Sequence, residues 1–562
     1  MLRKLFKTLK WFSIGVVALV LILVGTALGL YWSADMGDPN CTVGLSQYPV
    51  QQQDSVMRCG GSTLRWNPAG LWELTTGGDA LTRGAESGAL LRDLMHYQEQ
   101  VFVDQIHRIV PSDRYLSFLK VLITIFNRNL GEYVPEENRL EIYAMSQSCS
   151  HEFDAIGTPY QRQLNYHAAH DIGHAMQEYM LVGCSSFAVW GDRSADSSLL
   201  VGRNFDFYVG DDFARNKLIT FCRPEHGYAF ASVGWPGMTG VLSGMNSEGL
   251  TITLNAAKGS IPTRAATPIS ILARTILQYA ATIDEALAIA DTTQTFVSES
   301  LLIASARDGK AAIIEKTPHR TALFASSDNY IRCTNHYQSE TFADDPDNLE
   351  NIATTDSYYR FERLGELIDS LAPLSPPKVA SILRNRYGHG GTDIGLTNEK
   401  SLNQAIAHHG VIFEPAKGLM WVSTAPWQTG AFVCYDLHRI FATDESNEPA
   451  RIDTISRLDV PQLCIPADQR FLREDYPRIV CYRTSAEQLR QAIAQHDGSR
   501  QNLLDSLQNS NPNFWGTWAL CGDYYVMLGC KDDARHCWER ALQLEIPRER
   551  ERQEIERKIE KL

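Results

Sequence analysis

Hydrophobic and polar positions divide the chain into segments of different period. An uncharged, apolar run extends from Trp11 to Trp32. About twenty such residues span a bilayer as a helix, so the run predicts a membrane-spanning segment. Residues 33–70, rich in Gly, Pro and Asn, read as an irregular linker, and helical periodicity follows over residues 88–147. Between Val182 and Phe207, two short apolar runs flank a polar turn at Gly191–Ser197, the pattern of a β-hairpin. Alternating strands are expected over residues 227–257, paired helices over 267–293, and further strands in LLIASARDG, KAAIIEKTP and the run from Tyr330. A helix is expected from Asp356, and closing strands follow in AHHGVIFEPAKGLMWVSTAPWQTGAFVCYDL. Residues 441–480 read as a second linker, followed by helices, the last of which is a charged, solvated tail.

Composition narrows the picture. A chain of 562 residues exceeds one ordinary core, so more than one domain is expected. The net charge of −14 leaves no basic face to neutralise phosphates and argues against a nucleic-acid partner. Arg3, Lys4, Lys7 and Lys10 precede the apolar run, which puts the N-terminus in the cytoplasm and the body on the extracytoplasmic side, periplasmic or extracellular. A cleaved secretory signal is the alternative, but no clean Ala-x-Ala site follows, which favours an uncleaved, single-pass signal anchor. Export permits disulfides among the twelve cysteines, with Cys41 and Cys59 as one possible pair; Cys521, Cys530 and Cys537 share a helical stretch and read equally well as core thiols.

The hairpin carries the candidate chemistry. It sets Cys184 at the start of one strand and Arg203 and Asp206 at the end of the other, so thiol, guanidinium and carboxylate can meet. A free thiol with a pKa of ~8.5 needs a cation or a base to act as a nucleophile at neutral pH. Arg203 supplies a cation. Cutting the Gly183–Cys184 bond would give Cys184 its own α-amine, pKa ~7.7–8.0, as a built-in base that Asp206 could hold. Glycine at 183 leaves the preceding carbonyl open to the thiol.

Gly183-Cys184-Ser185-Ser186 followed by Gly202-Arg203-Asn204-Phe205-Asp206-Phe207 resembles the N-terminal-nucleophile (Ntn) hydrolases of the choloylglycine hydrolase and penicillin V acylase type. It is more similar still to the acyl-coenzyme A:6-aminopenicillanic acid acyltransferase relatives, the C45 peptidase family. Further pieces occur in family order. Gly77 to Gly88 is similar to the opening of the family's proregion. Asn246-Ser247-Glu248-Gly249-Leu250 precedes a strand ending in Asn255, and Thr334-Asn335-His336 closes another. Ser357-x-x-Arg360 begins a helix in which Arg363 is the competing arginine.

The resemblance, which covers roughly residues 77–440, implies an α+β fold, the αββα four-layer Ntn-hydrolase sandwich; the residue pattern adds an N-terminal transmembrane helix, a helical prosegment and a small C-terminal helical, tetratricopeptide-like (TPR-like) region. Together they give an anchor over residues 1–32, linker and prosegment over 33–183, a catalytic domain over 184–440, a linker over 441–480 and helices over 481–562. The activity implied is that of a linear amide C–N hydrolase or N-acyltransferase working through an acyl-cysteine after autoproteolysis at Gly183–Cys184. Cys184 would be nucleophile, Arg203 and Asp206 would orient and polarise, Asn255 and Asn335 would bind the oxyanion or the amine, and Arg360 would support the carboxyl side. His336 would be a supporting residue. Neither cofactor nor metal is implied; the partner would be a small acyl-amide.

Two other readings compete. His167, His170 and His174 fall on one helical face and faintly resemble a zinc motif, which predicts a zinc hydrolase. Trp518, Gly522, Tyr525, Gly529, Ala534, Ala541 and Pro547 sit where a tetratricopeptide (TPR) repeat places its markers, which predicts a non-catalytic scaffold that captures a protein partner through residues 513–562. One repeat cannot bury a superhelical core, so a helical hairpin docked on the body fits that region better than a peptide-binding array.

Overall fold

The structure is a computed structural model. It describes the backbone of residues 2–110, 112–175, 181–259, 265–442 and 457–562; the side chains of residues 2–10, 113, 169–175, 181 and 182 are also outside the description. Helix α1 (Leu2–Trp32) holds the Trp11–Trp32 run, with mean hydropathy 2.5, the one helix among the described residues long and apolar enough to cross a membrane. Strands β1 (Gln51–Gln53), β2 (Val56–Cys59), β3 (Ser62–Asn67) and β4 (Leu71–Gly78) follow, then helices α2 (Ala80–Ile109), α3 (Asp113–Phe126), α4 (Glu136–Ser146) and α5 (Pro159–Ala175). Asp79 starts α2 by accepting a hydrogen bond from the Thr82 N–H at 3.0 Å.

Strands β1 to β3 correct the reading of residues 33–70 as irregular. β1 is three glutamines, fully exposed, with no apolar alternation to announce it. β4 is stabilised by parallel pairing with a strand far along the chain, which local pattern cannot reveal. Cys41 and Cys59 are also corrected as a pair: both are free thiols.

The expected hairpin is β5 (Leu181–Gly191) and β6 (Ser197–Tyr208). After it come β7 (Leu218–Pro224), β8 (Phe230–Gly234), β9 (Ser243–Asn246) and β10 (Leu250–Ala256), then helices α6 (Ile269–Tyr279) and α7 (Ile283–Thr292). Strands β11 (Glu299–Ser305), β12 (Lys310–Lys316), β13 (Thr321–Ala325) and β14 (Tyr330–Cys333) lead to α8 (Pro346–Thr354), α9 (Ser357–Leu371) and α10 (Pro376–Leu383). The body closes with β15 (Ala407–Glu414), β16 (Leu419–Ser423), β17 (Phe432–Asp436) and α11 (Leu437–Ile440).

Two sheets form. The larger has order β1-β2-β3-β4-β7-β8-β9-β10-β11-β12-β13 and the smaller β14-β5-β6-β15-β16-β17. Period-two alternation gives each strand two faces, and both faces are buried in the core strands. Leu199, Val201 and Val411 of the smaller sheet meet Phe221, Val233 and Ile313 of the larger. The other face of the larger sheet, with Ile252 and Leu301, packs on Ile271 and Leu272 of α6. The other face of the smaller sheet, with Phe187 and Ile412, packs on Leu364 of α9 and Val379 of α10. Helices, sheet, sheet, helices is the expected αββα layering.

The C-terminal helices are α12 (Gln469–Gln495), α13 (Asn502–Ser510), α14 (Trp515–Met527), α15 (Lys531–Leu542) and α16 (Glu549–Glu560). α12 runs through Pro477, so the last part of the expected 441–480 linker is helical, while residues 443–456 lie outside the described residues. The helices dock on the 386–400 loop of the body. Asn511 and Leu396 exchange two hydrogen bonds of 2.8 Å, and Arg386–Asp475 and Lys400–Glu545 pair at 2.8 and 2.7 Å.

Candidate active site

In the β5–β6 hairpin Gly183 faces Asp206, Cys184 faces Phe205 and Ser186 faces Arg203. Alternation therefore puts Cys184 and Arg203 on one face as diagonal neighbours, and Asp206 on the other. Arg203 Nη2 lies 3.7 Å from Cys184 Sγ. Both residues are fully buried. Burial pushes the Cys184 thiol up to about 11, with Arg203 pulling it back down.

Asp206 stands directly across from the Gly183–Cys184 bond, and neither of its buried carboxylate oxygens takes a hydrogen bond from a described residue. Burial drives its pKa to about 8, against the pull of Arg360 and Arg203. A Cβ at 183 would lie 2.8 Å from Gln404 Nε2, so the end of the Gln404 side chain would have to shift.

The turn between β9 and β10 is built by Asn246. Its Oδ1 accepts from the N–H groups of Glu248 and Leu250 at 3.1 and 2.9 Å, and Gly249 takes φ of 76°. This fixes β10, whose end brings Asn255 beneath the hairpin. Asn255 Oδ1 accepts from Ser186 Oγ at 2.9 Å and its Nδ2 donates to Cys333 O at 3.2 Å. One Nδ2 hydrogen is left over for another acceptor.

Asn335 and Arg360 grip the Cys184 backbone. Asn335 Oδ1 accepts from the Cys184 N–H at 3.1 Å and from Arg360 Nη2 at 2.7 Å. Arg360 Nη1 donates to Cys184 O at 2.7 Å and to Ser185 Oγ at 3.0 Å, while its Nε pairs with Asp356 at 2.8 Å. Arg363 instead pairs with Glu366 at 2.6 Å, so Arg360 is the arginine that reaches the site. Ser357 Oγ accepts from the Asn335 N–H and contacts His336 Nδ1, both at 2.8 Å, which ties His336 to the support of Asn335.

The structure thus brings four of the other five candidates, Arg203, Asn255, Asn335 and Arg360, around Cys184, with Asp206 on the reverse face of the hairpin. Sequence reasoning passed over Ser243, His408 and His409. His409 Nε2 lies 2.8 Å from Ser243 Oγ, which accepts from Arg203. Two adjacent histidines in an apolar strand carry no spacing signal, and their role emerges only from the pairing of β6 with β15.

The zinc reading finds no support at His167. Its Nδ1 faces Gln163 O at 2.7 Å, and its Nε2 accepts from the Thr239 N–H at 2.9 Å. The side chains of His170 and His174 lie outside the described residues. Among the described residues no group of three His, Cys, Asp or Glu is placed to hold a metal. An aromatic cavity of about 520 Å³, counting its open mouth, lies between α2, α5 and the body; Phe102, Phe207, Phe213 and Trp235 line it.

Residues 193–425 match the family model of acyl-coenzyme A:6-aminopenicillanic acid acyl-transferase; Cys184 lies just ahead of the matched residues. An uncharacterized protein of Archaeoglobus fulgidus is 24% identical over 243 residues, 39% of this chain and 40% of that protein. The chain therefore spans about two fifths of the length of that curated relative. Among solved structures, a Caenorhabditis elegans ortholog of N-acylethanolamine-hydrolyzing acid amidase is 14% identical, covering 42% of this chain and 93% of that one with TM-score 0.30. A conjugated bile acid hydrolase from Clostridium perfringens is 14% identical over 46% of this chain and 93% of that one, TM-score 0.32. Penicillin V acylase from Agrobacterium tumefaciens is 14% identical over 45% and 92%, TM-score 0.29. Over residues 193–425, then, the chain is similar to the acyl-coenzyme A:6-aminopenicillanic acid acyl-transferase family, within an αββα-layered fold.

Proposed function

We propose that this chain is a cysteine Ntn enzyme that cuts its own Gly183–Cys184 bond and then acts on a linear amide. One observation carries the reading: the N–H, carbonyl and sulfur of Cys184 are engaged by Asn335, Arg360 and Arg203 at 3.1, 2.7 and 3.7 Å.

In self-processing, the Cys184 thiol adds to the Gly183 carbonyl and the peptide nitrogen leaves as a new α-amine. Water then releases the Gly183 carboxylate from the thioester. The buried Asp206 carboxylate, without a hydrogen bond from any described residue, favours this outcome, because the new ammonium group would supply donors to it.

In turnover, the α-amine takes the thiol proton and sulfur adds to the substrate carbonyl. The spare Nδ2 hydrogen of Asn255 would meet the charge that develops on oxygen, a contribution of about 2.7–4 kcal/mol for one such donor. Asn335 Oδ1, which now accepts from the Cys184 N–H, would accept from the amine and keep its lone pair directed at the thiol. Collapse expels the substrate amine with the proton and leaves an acyl-cysteine. Water or a second amine completes the cycle.

The α1 helix would hold the body on the extracytoplasmic side of a membrane, with residues 33–183 as prosegment and 184–440 as catalytic domain. Helices α14 and α15 would serve as a hairpin docked on the body. The test is hydrolysis of N-acyl amides of varied acyl length by the detergent-solubilised full chain. Activity that Cys184→Ala abolishes supports the reading, and activity that survives Cys184→Ala but falls with a chelator overturns it in favour of the zinc reading.

A further inference from the structure

Arg203 is a fully buried cation beside the thiol, yet among the described residues it is ion-paired to no carboxylate. Its partners are neutral: Leu242 O at 3.2 Å, Ser243 Oγ, Leu254 O and His409 Nε2 at 3.4 Å. That set fixes the protons around it. A guanidinium donates and never accepts. His409 Nε2 must therefore be bare on the side facing Arg203, and its 2.8 Å contact with Ser243 must be the serine O–H donating to it. His409 then carries its proton on Nδ1, which lies 2.9 Å from His408 Nδ1. His408 is consequently the acceptor there and bears its own proton on Nε2. The donors run in one direction, Arg203 to Ser243 to His409 to His408.

Both imidazoles stay neutral in this arrangement. Burial lowers each well below the usual histidine range, and Arg203 and the buried Lys217 lower them further. The Lys217 ammonium donates to Ser423 O and Ser423 Oγ rather than to either ring. The other charged groups around the guanidinium are Cys184, Asp206 and Glu299.

We propose that Ser243 and His409 are positioning residues that aim the Arg203 guanidinium at Cys184 through neutral contacts, with His408 fixing the tautomer of His409. A carboxylate in their place, in direct contact with the guanidinium, would hold Arg203 but further offset the charge that a thiolate needs. The inference rests on Cys184 being the reacting thiol, as proposed above, but its test needs no substrate.

The rate of iodoacetamide alkylation at Cys184 is followed against pH in the processed full-length protein, peptide by peptide in a mass spectrometer, alongside the thermal midpoint. Relative to wild type, His409→Ala and Ser243→Ala should move the Cys184 alkylation midpoint up by about one pH unit. His409→Gln, which keeps a neutral acceptor for the serine, should return it toward wild type, and His409→Glu should raise it further than alanine does. A midpoint unmoved in a folded His409→Ala protein overturns the inference, as does a His409→Glu protein that behaves like His409→Gln. If His409→Ala fails to fold, the Gln against Glu comparison decides alone. Absence of amide hydrolysis in wild type would refute the enzyme reading and leave these alkylation outcomes unaffected.

Discussion

Asp206 pairs with Gly183 across the β5–β6 hairpin, and both of its carboxylate oxygens are buried without a hydrogen bond from any described residue. A carboxylate in that state disfavours ionisation, which is why its pKa reaches about 8. The native state then binds a proton more tightly than the unfolded chain does. The stability this contributes is present at low pH and is lost as pH rises from the ordinary carboxylate range, about 4, toward about 8. Uncut Cys184→Ala protein should therefore show a thermal midpoint that falls over this window. Adding Asp206→Asn should flatten the fall. Equal slopes in the two proteins would contradict the assignment.

Arg360 joins three elements through Cys184 O, Ser185 Oγ and Asn335 Oδ1. Arg360→Ala should lower kcat/KM by about 10²–10³, in line with losing one preorganised polar group. It should also destabilise the fold by roughly 3–5 kcal/mol, because the mostly buried Asp356 loses its partner. Arg363→Ala, which breaks the pair with Glu366 and a 3.5 Å hydrogen bond to Asn385 but nothing at Cys184, should leave kcat/KM within about twofold of wild type. Steady-state kinetics on the three proteins compares them directly.

Gly183→Ala should slow self-processing, since its Cβ would press on the Gln404 amide. Gln404→Ala in the same chain should restore the rate. The fraction cut, read against time on a denaturing gel, measures both. A double variant as slow as the single one would show that space at Gln404 is not what requires glycine.

If α1 spans the membrane, as proposed, a prediction about association follows. After cleavage, α1 belongs to one fragment and Cys184 to the other. Strand β4 of the first fragment pairs with β7 of the second, and Leu130, Ile142 and Leu164 lie in one core cluster with Phe230 and Ile271. The fragments should stay together at the membrane through this shared core. High salt should leave the Cys184 fragment on membranes and detergent should release both. Release by salt alone would contradict it.

Much of the site was legible because its parts are local. The hairpin shows in its two apolar runs and polar turn, and the Asn246–Leu250 turn in residues whose hydrogen bonds stay within the turn. What escaped depends on pairing over distance. β1 to β4 are short and largely polar, and the partner that makes them a sheet lies beyond four helices. Helix α12 continues through Pro477, against the preference of the residue itself. Ser243, His408 and His409 look like ordinary strand residues until β6 and β15 align them with Arg203. That Arg360 rather than Arg363 contacts Cys184 is a matter of helix phase, set by which side of α9 faces β5.

The central claim is that the Gly183–Cys184 bond is cut by the Cys184 thiol. N-terminal sequencing of the purified full-length product, with intact mass beside it, tests this directly. The account predicts a second N-terminus beginning Cys184-Ser185-Ser186 in wild type, and a single uncut chain in Cys184→Ala. A wild-type protein that hydrolyses amides while remaining one chain, or a cut that persists in Cys184→Ala, would contradict it.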